Sequence, residues 1–132
     1  MTSEINVSSQ ERYQLLDITD RVEKIIKESG VQHGLILVFA PHSTAAILLT
    51  ENEAGLNKDW LNFLKKLVSG FNFQHNLIDN NADSHLLSGL IGQEKTLLIK
   101  DGRLIRGVWQ NIFLLELDGP RKRRIIVKII EG

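Results

Sequence analysis

Three short segments of this chain carry bulky apolar side chains on nearly every position, and they constrain the fold more than any other feature. They are residues 35–40, 112–115 and 125–130. Because successive side chains of a strand point to opposite faces, such strands need cover on both faces of their sheet. Three helices are too few to cover a large sheet twice, so a second sheet or a neighbouring subunit must complete the cover. We therefore predict a homo-oligomer, since the alternative leaves a large apolar patch in water.

The composition is that of an ordinary globular domain. The chain has 132 residues, of which 42% are hydrophobic and 24% charged, and these values exclude a disordered chain. Sixteen basic and sixteen acidic side chains cancel, which argues against a broad nucleic-acid or membrane surface. The absence of cysteine excludes disulfides and thiolate metal sites. No apolar run reaches the length of a membrane span and no apolar signal core is present, so we expect a cytoplasmic protein.

Hydrophobic periodicity predicts three helices. The first lies between Asp20 and Gly30, where Asp20 and Glu23 resemble a capping box and Gly30 fits the left-handed residue past the end. The most regular apolar stripe predicts a second helix over residues 54–68. A third helix is predicted over residues 82–91.

The remaining apolar segments predict about seven strands in an α+β domain, in a mostly antiparallel or mixed sheet. They cover residues 12–18, 35–40, 45–49, 96–100, 104–108, 112–117 and 125–130. Asp101-Gly102, between two of them, is typical of a type I′ hairpin. Residues 1–10 are expected to form a loose arm before a single domain over residues 11–132.

Three of the four histidines stand in segments that give no packing reason for an imidazole: His42, His75 and His85. His42 lies at the break between two apolar runs, and strand ends commonly present functional groups; its alternative is a hydrogen-bonded residue at a strand edge. Helical projection points His85 away from the apolar stripe, toward the side of Asn81, the predicted helix cap. The alternative for His85 is simple exposure to solvent.

Three neutral imidazoles are a common way to hold zinc with one position left open. The spacing of the three histidines matches no local metal motif, so the residues alone leave this reading open. The basic run 121–124 suits a phosphate or forms a solvated turn, and the zero net charge favours a small phosphorylated substrate over a polynucleotide. The indole of Trp109 is suited either to the floor of a pocket or to the core.

Several ordered blocks together resemble the YjbQ family of small proteins, described as secondary thiamine-phosphate synthase enzymes. The blocks are PHSTAA at 41–46 with ENE at 51–53, NADSHL at 81–86, GVWQNI at 107–112, and ELDGPR at 116–121 with Arg123. The resemblance runs from about residue 17 to the carboxyl end. Two departures stand out. Ser43 replaces a usual threonine, and the loop before His75 lacks the proline and tyrosine often found there.

The resemblance implies a YjbQ-like α+β fold, a trimer with sites near subunit contacts, and a divalent metal, zinc or magnesium, held by His42, His75 and His85. The implied reaction joins a hydroxymethylpyrimidine diphosphate to a thiazole phosphate and releases pyrophosphate. Candidate catalytic residues are Glu51, Asn81 and Gln110; candidate substrate-binding residues are Ser43, Thr44, Trp109, Arg121 and Arg123. Arg121 and Arg123 would neutralise the leaving pyrophosphate, Trp109 would stack on the pyrimidine, and Glu51 or Gln110 would hydrogen-bond to it.

Two other functions compete with this transferase. One is a metal-assisted hydrolase, in which ion-bound water attacks a single small substrate. The other is a non-catalytic trimer that binds a metal or a small anion.

Overall fold

A computed structural model describes residues 2–132 and shows eight strands and three α-helices. The strands are β1 (Thr2–Ser8), β2 (Gln14–Asp17), β3 (Gly34–Phe39), β4 (Ala45–Thr50), β5 (Glu94–Lys100), β6 (Arg103–Ile105), β7 (Asn111–Glu116) and β8 (Lys122–Glu131). The helices are α1 (Thr19–Ser29), α2 (Ala54–Leu67) and α3 (Ala82–Ile91), with a short 3-10 helix at Gln74–Leu77. The predicted α+β class is confirmed.

The strands form two antiparallel sheets instead of one. The five-stranded sheet has the order β1-β8-β3-β5-β6 and the three-stranded sheet the order β2-β7-β4. One core cluster joins Ile36 of β3, Ile47 of β4, Leu114 of β7 and Val127 of β8 to Val22 of α1, so the inner faces of the two sheets pack on each other. The second sheet therefore supplies much of the cover that the apolar strands require.

Helices α2 and α3 cover the other face of the three-stranded sheet. A second core cluster contains Leu64 of α2, Leu87 of α3 and Leu115 of β7. The molecule is thus layered as helices, three-stranded sheet and five-stranded sheet. Within residues 2–132 no helix has the length and hydropathy needed to cross a bilayer.

The expectation of a loose amino-terminal arm is wrong. Residues 2–8 form β1, which pairs along β8 with Ile5 opposite Ile125, and Ile5 is 2% exposed. The alternation of Ile5 and Val7 with polar residues is short, and it gave little sign of a strand. The apolar face of β8 nevertheless requires a neighbour on this side, and β1 provides it.

Two predicted helix caps are replaced by other contacts. The amino end of α1 has no capping box; instead, Asp17 accepts hydrogen bonds from the Thr19 amide (2.9 Å) and hydroxyl (2.6 Å). The Asn81 side chain does not cap α3, because it bonds to His75 and Asp118 instead, and the Ala82 amide donates to Asn76 Oδ1 at 3.0 Å.

Two predicted glycine turns are confirmed. Gly30 ends α1 with a positive φ of 72°. Asp101 and Gly102 both have positive φ, at 53° and 75°, as a type I′ hairpin between β5 and β6 requires.

The outer face of the five-stranded sheet carries an apolar row that the protomer leaves uncovered. Ile130, Leu35, Leu98 and Ile105 stand side by side on β8, β3, β5 and β6. Their exposed fractions lie between 40% and 54%. We call these four residues the outer row. The outer row is the part of the apolar surface that the second sheet does not cover. The homo-oligomer that would cover it stays a prediction.

Candidate active site

A pocket of about 370 Å³ opens where β4 begins, β7 ends and α3 begins. Its lining is almost entirely polar: Pro41, His42, Ser43, Thr44, Asn81, His85, Asp118, Arg121 and Arg123. Seven of the predicted site residues therefore meet here, although they come from three segments far apart in sequence. The antiparallel pairing of Ala45 with Glu116 brings two of those segments together, and α3 packs on β4 to add the third.

His75 and His85 form a pair beside this pocket. Their ring centroids are 4.9 Å apart and the rings meet edge to face at 71°. His85 lies in the first turns of α3, on the side that helical projection indicated. His75 is brought back to it by the short 3-10 helix, which the Asn76 side chain fastens to the start of α3.

A chain of hydrogen bonds continues from His75 through Asn81 and Asp118 to Arg121. His75 Nε2 lies 2.7 Å from Asn81 Oδ1, and Asn81 Nδ2 donates to Asp118 Oδ2 at 2.9 Å. Arg121 donates from Nη2 to the same carboxylate oxygen at 3.0 Å and from Nε to the Asp118 carbonyl at 2.8 Å. Asp118 was not predicted as a site residue. The Asp-Gly-Pro triplet indicates only a turn and gives no sign that the carboxylate lines the pocket.

His42 is held by the backbone of β8. Its Nε2 lies 3.1 Å from both the amide nitrogen and the carbonyl oxygen of Arg124. Strand β3 ends at Phe39, and Pro41 has no N–H to continue the pairing, so the imidazole takes up backbone groups that β3 leaves free. Burial lowers the pKa of His42, which favours the neutral ring that accepts from the Arg124 amide. The structure agrees with the strand-edge interpretation of this residue.

Arg123 is buried at the pocket, and its Nε and Nη2 groups are already paired. It donates from Nε to Glu116 at 2.9 Å and from Nη2 to the Thr44 hydroxyl at 2.8 Å, and it is only 5% exposed. Burial by itself would raise the pKa of Glu116, but hydrogen bonds from Arg123 and Ser9 hold that pKa below its ordinary value. Arg123 and Thr44 thus have a structural role, in a buried ion pair that supports the pocket floor, and their substrate-binding roles stay predictions.

Glu51, Trp109 and Gln110 lie at the opposite end of the three-stranded sheet. There β4 ends at Thr50, opposite Asn111, about 17 Å along the strand from the Ala45 pairing. Gln110 folds its own turn by accepting from the Gly107 amide at 2.7 Å, and Trp109 is 68% exposed. Within one protomer these three residues do not join the pocket, and Trp109 is neither core nor pocket floor.

This far end has its own polar cluster, built on Asp17. Its Oδ2 accepts from Asn52 at 2.8 Å and from Asn111 at 2.6 Å, while its Oδ1 accepts from Thr19. The cluster ties together the ends of β2, β4 and β7. Burial would raise the pKa of Asp17, but these hydrogen bonds hold it below its ordinary value. Asn52 and Asn111, both in blocks that carry the family resemblance, therefore have a structural role here.

Asp83 anchors the start of α3 to the chain before β2. It accepts two hydrogen bonds from Arg12, at 2.8 and 2.9 Å, and one from the Tyr13 hydroxyl. Burial and the bond to Asp83 raise the pKa of Tyr13, so the phenol stays a donor. Asp83 is two residues from Asn81, so this anchor also fixes the end of α3 at which Asn81 lies.

The three imidazoles do not form a ready three-ligand metal site. Among residues 2–132 no group of three or more His, Cys, Asp or Glu side chains is placed to hold a metal ion. Nε2 of His42 is bound to the β8 backbone and Nε2 of His75 to Asn81, so the Nε2 atoms of both rings are already engaged. His75 and His85 stand close enough to act as a pair.

Comparison with known proteins finds relatives over the whole chain. A family model described as UPF0047 protein YjbQ-like matches residues 3–132. A UPF0047 protein of Archaeoglobus fulgidus is 41% identical over 128 residues, which cover 96% of this chain and 99% of that protein. The UPF0047 protein YugU of Bacillus subtilis is 31% identical, over 98% of this chain and 99% of its own.

Solved structures show the same fold. A YbjQ-like protein of unknown function from Sulfolobus solfataricus superimposes with a TM-score of 0.97 at 45% identity, covering 100% of this chain and 97% of that one. A hypothetical protein from Aeropyrum pernix gives a TM-score of 0.96 at 36% identity, covering 100% and 99%.

Proposed function

The chain belongs to the YjbQ-like UPF0047 family, and we propose that it is an enzyme acting on a small phosphorylated molecule in the pocket between β4, α3 and the turn after β7. The observation that carries this proposal is the hydrogen-bonded chain from His75 to Arg121, whose His75 end lies beside a second imidazole, His85. Two imidazoles and a guanidinium around an open polar cavity suit a substrate that carries negative charge.

The reaction to test first is the thiamine-phosphate synthase type. The thiazole nitrogen attacks the methylene carbon of the pyrimidine diphosphate; the new carbon–nitrogen bond forms as the carbon–oxygen bond breaks. Pyrophosphate leaves with the electron pair, and the positive charge remains on the thiazolium ring. Arg121 would stabilise the leaving group, because its contacts with Asp118 use two of five guanidinium N–H groups and leave three free. Ser43, which lines the pocket, would donate to a phosphate oxygen.

This proposal gives a divalent ion two histidine ligands, in place of the three that the resemblance implies. His75 and His85 are the two imidazoles that would share it, and oxygens of the substrate would complete its ligands. Zinc suits the imidazoles, whereas magnesium suits the diphosphate oxygens. A bound ion would supply positive charge to the leaving group.

A second copy of the chain is part of the proposal. Glu51, Trp109 and Gln110 lie too far along the sheet to reach the pocket of their own protomer. A homo-oligomer, a trimer as the resemblance implies, would let one copy present them to the pocket of the next. The uncovered outer row and the exposed Trp109 support the idea of such a contact, because a monomer would leave both in water.

The deciding experiment measures pyrophosphate release by the purified protein with both substrates together and with each alone, with and without zinc or magnesium. Release only with both substrates is the expected result. In His85→Ala the rate should fall at least about a hundredfold, whereas His33→Ala, an exposed histidine outside the pocket, should retain it.

Two outcomes would overturn the transferase. Phosphate or pyrophosphate release from one substrate alone would indicate the hydrolase instead. No turnover under any condition, with phosphate-bearing ligands still bound, would indicate a non-catalytic binding protein.

A further inference from the structure

Asp118 lies between Asn81 and Arg121 in the hydrogen-bond chain of the pocket. Its side chain is 16% exposed, and a single oxygen, Oδ2, accepts from both Asn81 and Arg121. A carboxylate paired with a guanidinium can only accept hydrogen bonds. The group that Asn81 turns toward Asp118 must therefore be its NH₂.

This fixes the orientation of the Asn81 amide. With Nδ2 facing Asp118 at 2.9 Å, the carbonyl oxygen Oδ1 faces His75 at 2.7 Å. An amide oxygen is an acceptor only, so the proton of this contact belongs to His75 Nε2. The negative charge on Asp118 therefore decides which group donates and which accepts at each contact from Asp118 back to His75.

We infer that Asp118 is a positioning residue that acts through Asn81 to hold the His75 proton on Nε2. In the neutral ring this leaves the lone pair on Nδ1, and among residues 2–132 Nδ1 makes no hydrogen bond. That atom is then the one offered to a substrate proton or an ion. A histidine bonded through its other nitrogen in this way is held in one orientation and one tautomer.

The inference deepens the proposed function and rests on it for its catalytic meaning, but the position of the proton is measurable without any activity. Nitrogen-15 spectra of the histidine rings at about pH 8, with His75 assigned through His75→Gln, report which nitrogen carries the proton. We expect the His75 signals of one tautomer, protonated at Nε2, with slow exchange of that proton with water.

Removing the carboxylate should loosen this arrangement. In Asp118→Ala, and in Asp118→Asn, where the new amide can donate as well as accept, the shifts of the two ring nitrogens should move toward each other. Exchange of the Nε2 proton should become at least about tenfold faster. Asp79→Asn is the control, because within residues 2–132 the Asp79 carboxylate makes no hydrogen bond, and the Asn81 amide donates to the Asp79 carbonyl, which the substitution keeps.

A proton on Nδ1 in the unaltered protein would overturn the inference, and so would ring signals that Asp118→Ala and Asp118→Asn leave unchanged. The unaltered protein answers the first question even where a variant fails to fold. If the enzyme proposal fails while the proton is found on Nε2, the positioning role stands as a property of a binding site. If turnover is found, Asp118→Asn should lower kcat at least about tenfold with little change in KM.

Discussion

The two ends of the three-stranded sheet are both polar, yet they are polar in different ways. At the pocket end, His85, His75 and Arg121 keep unused donors or lone pairs beside an open cavity. At the far end, both oxygens of Asp17 are taken by side chains that close the ends of three strands. A polar cluster whose bonding capacity is used up holds the fold together, whereas one with capacity to spare is able to bind something else.

The far end still has one feature without a structural role in the protomer. The turn carrying Val108 and Trp109 leaves both side chains mostly in water, at 79% and 68% exposed. Variants at each end test whether the far end serves stability and the pocket end serves activity.

The largest effect on stability is expected at the buried pair of Glu116 and Arg123, which supports the pocket end. In Glu116→Ala the buried Arg123 loses its partner, and the free energy of unfolding should fall by about 3–5 kcal/mol. Glu4→Ala is the control, since its pair with Arg124 is exposed and should change stability by less than about 1 kcal/mol. Urea unfolding measures both; equal effects would show that the buried pair does not support the pocket.

At the far end, Asp17→Asn should lower the free energy of unfolding by about 1–3 kcal/mol, because a carboxylate that accepts from Thr19, Asn52 and Asn111 is replaced by an amide. Activity of the folded variant should match that of the unaltered protein. Asp20→Asn, on the exposed start of α1, serves as the control. A large loss of activity with stability retained would break the distinction between the ends.

The pH dependence of stability should also differ between the ends. His42 has a lowered pKa, so the unfolded chain binds its proton first, and stability should begin to fall as the pH drops below about 6.5. Asp17 and Glu116 also have lowered pKa values, and their contribution is lost at lower pH, below about 4. Urea midpoints across pH 3–8 should show both declines, and His42→Gln should remove only the upper one.

The smallest effect on the protomer is expected from Trp109→Ala. An exposed side chain should change the free energy of unfolding by no more than about 0.5 kcal/mol. If a second copy uses this indole, the same change should weaken association, which light scattering over a range of concentrations would measure. An unchanged mass and unchanged activity would leave the far end with no part in the site.

Sequence reasoning succeeded where the local pattern and the final packing agree. The bounds of α3 were predicted to the residue, and His85, which the projection singled out, lines the pocket. The projected apolar stripe is only partly buried, because Leu86 and Leu90 are 53% and 70% exposed. The need for two-sided cover correctly anticipated a second layer. These features depend on near neighbours in the chain, or on a simple count of apolar faces.

It failed where a role depends on contacts between distant segments. The burial of Arg123 was not predicted, although strand alternation places it on the same face as Ile125 and Val127, which is the buried one. That alternation was a signal the sequence contained. The contact of Asp118 with Asn81 had no such signal, because it joins residues that only the tertiary fold brings together.

The position of β8 has a consequence for how the molecule assembles during synthesis. It is the last of the eight strands in chain order, yet it lies inside its sheet, between β1 and β3. Strand β1 must therefore wait, without its pairing partner, until more than a hundred later residues have emerged. Such long-range pairing is slow to form, so the nascent chain should acquire its five-stranded sheet, and with it the floor of the pocket, only after β8 has emerged.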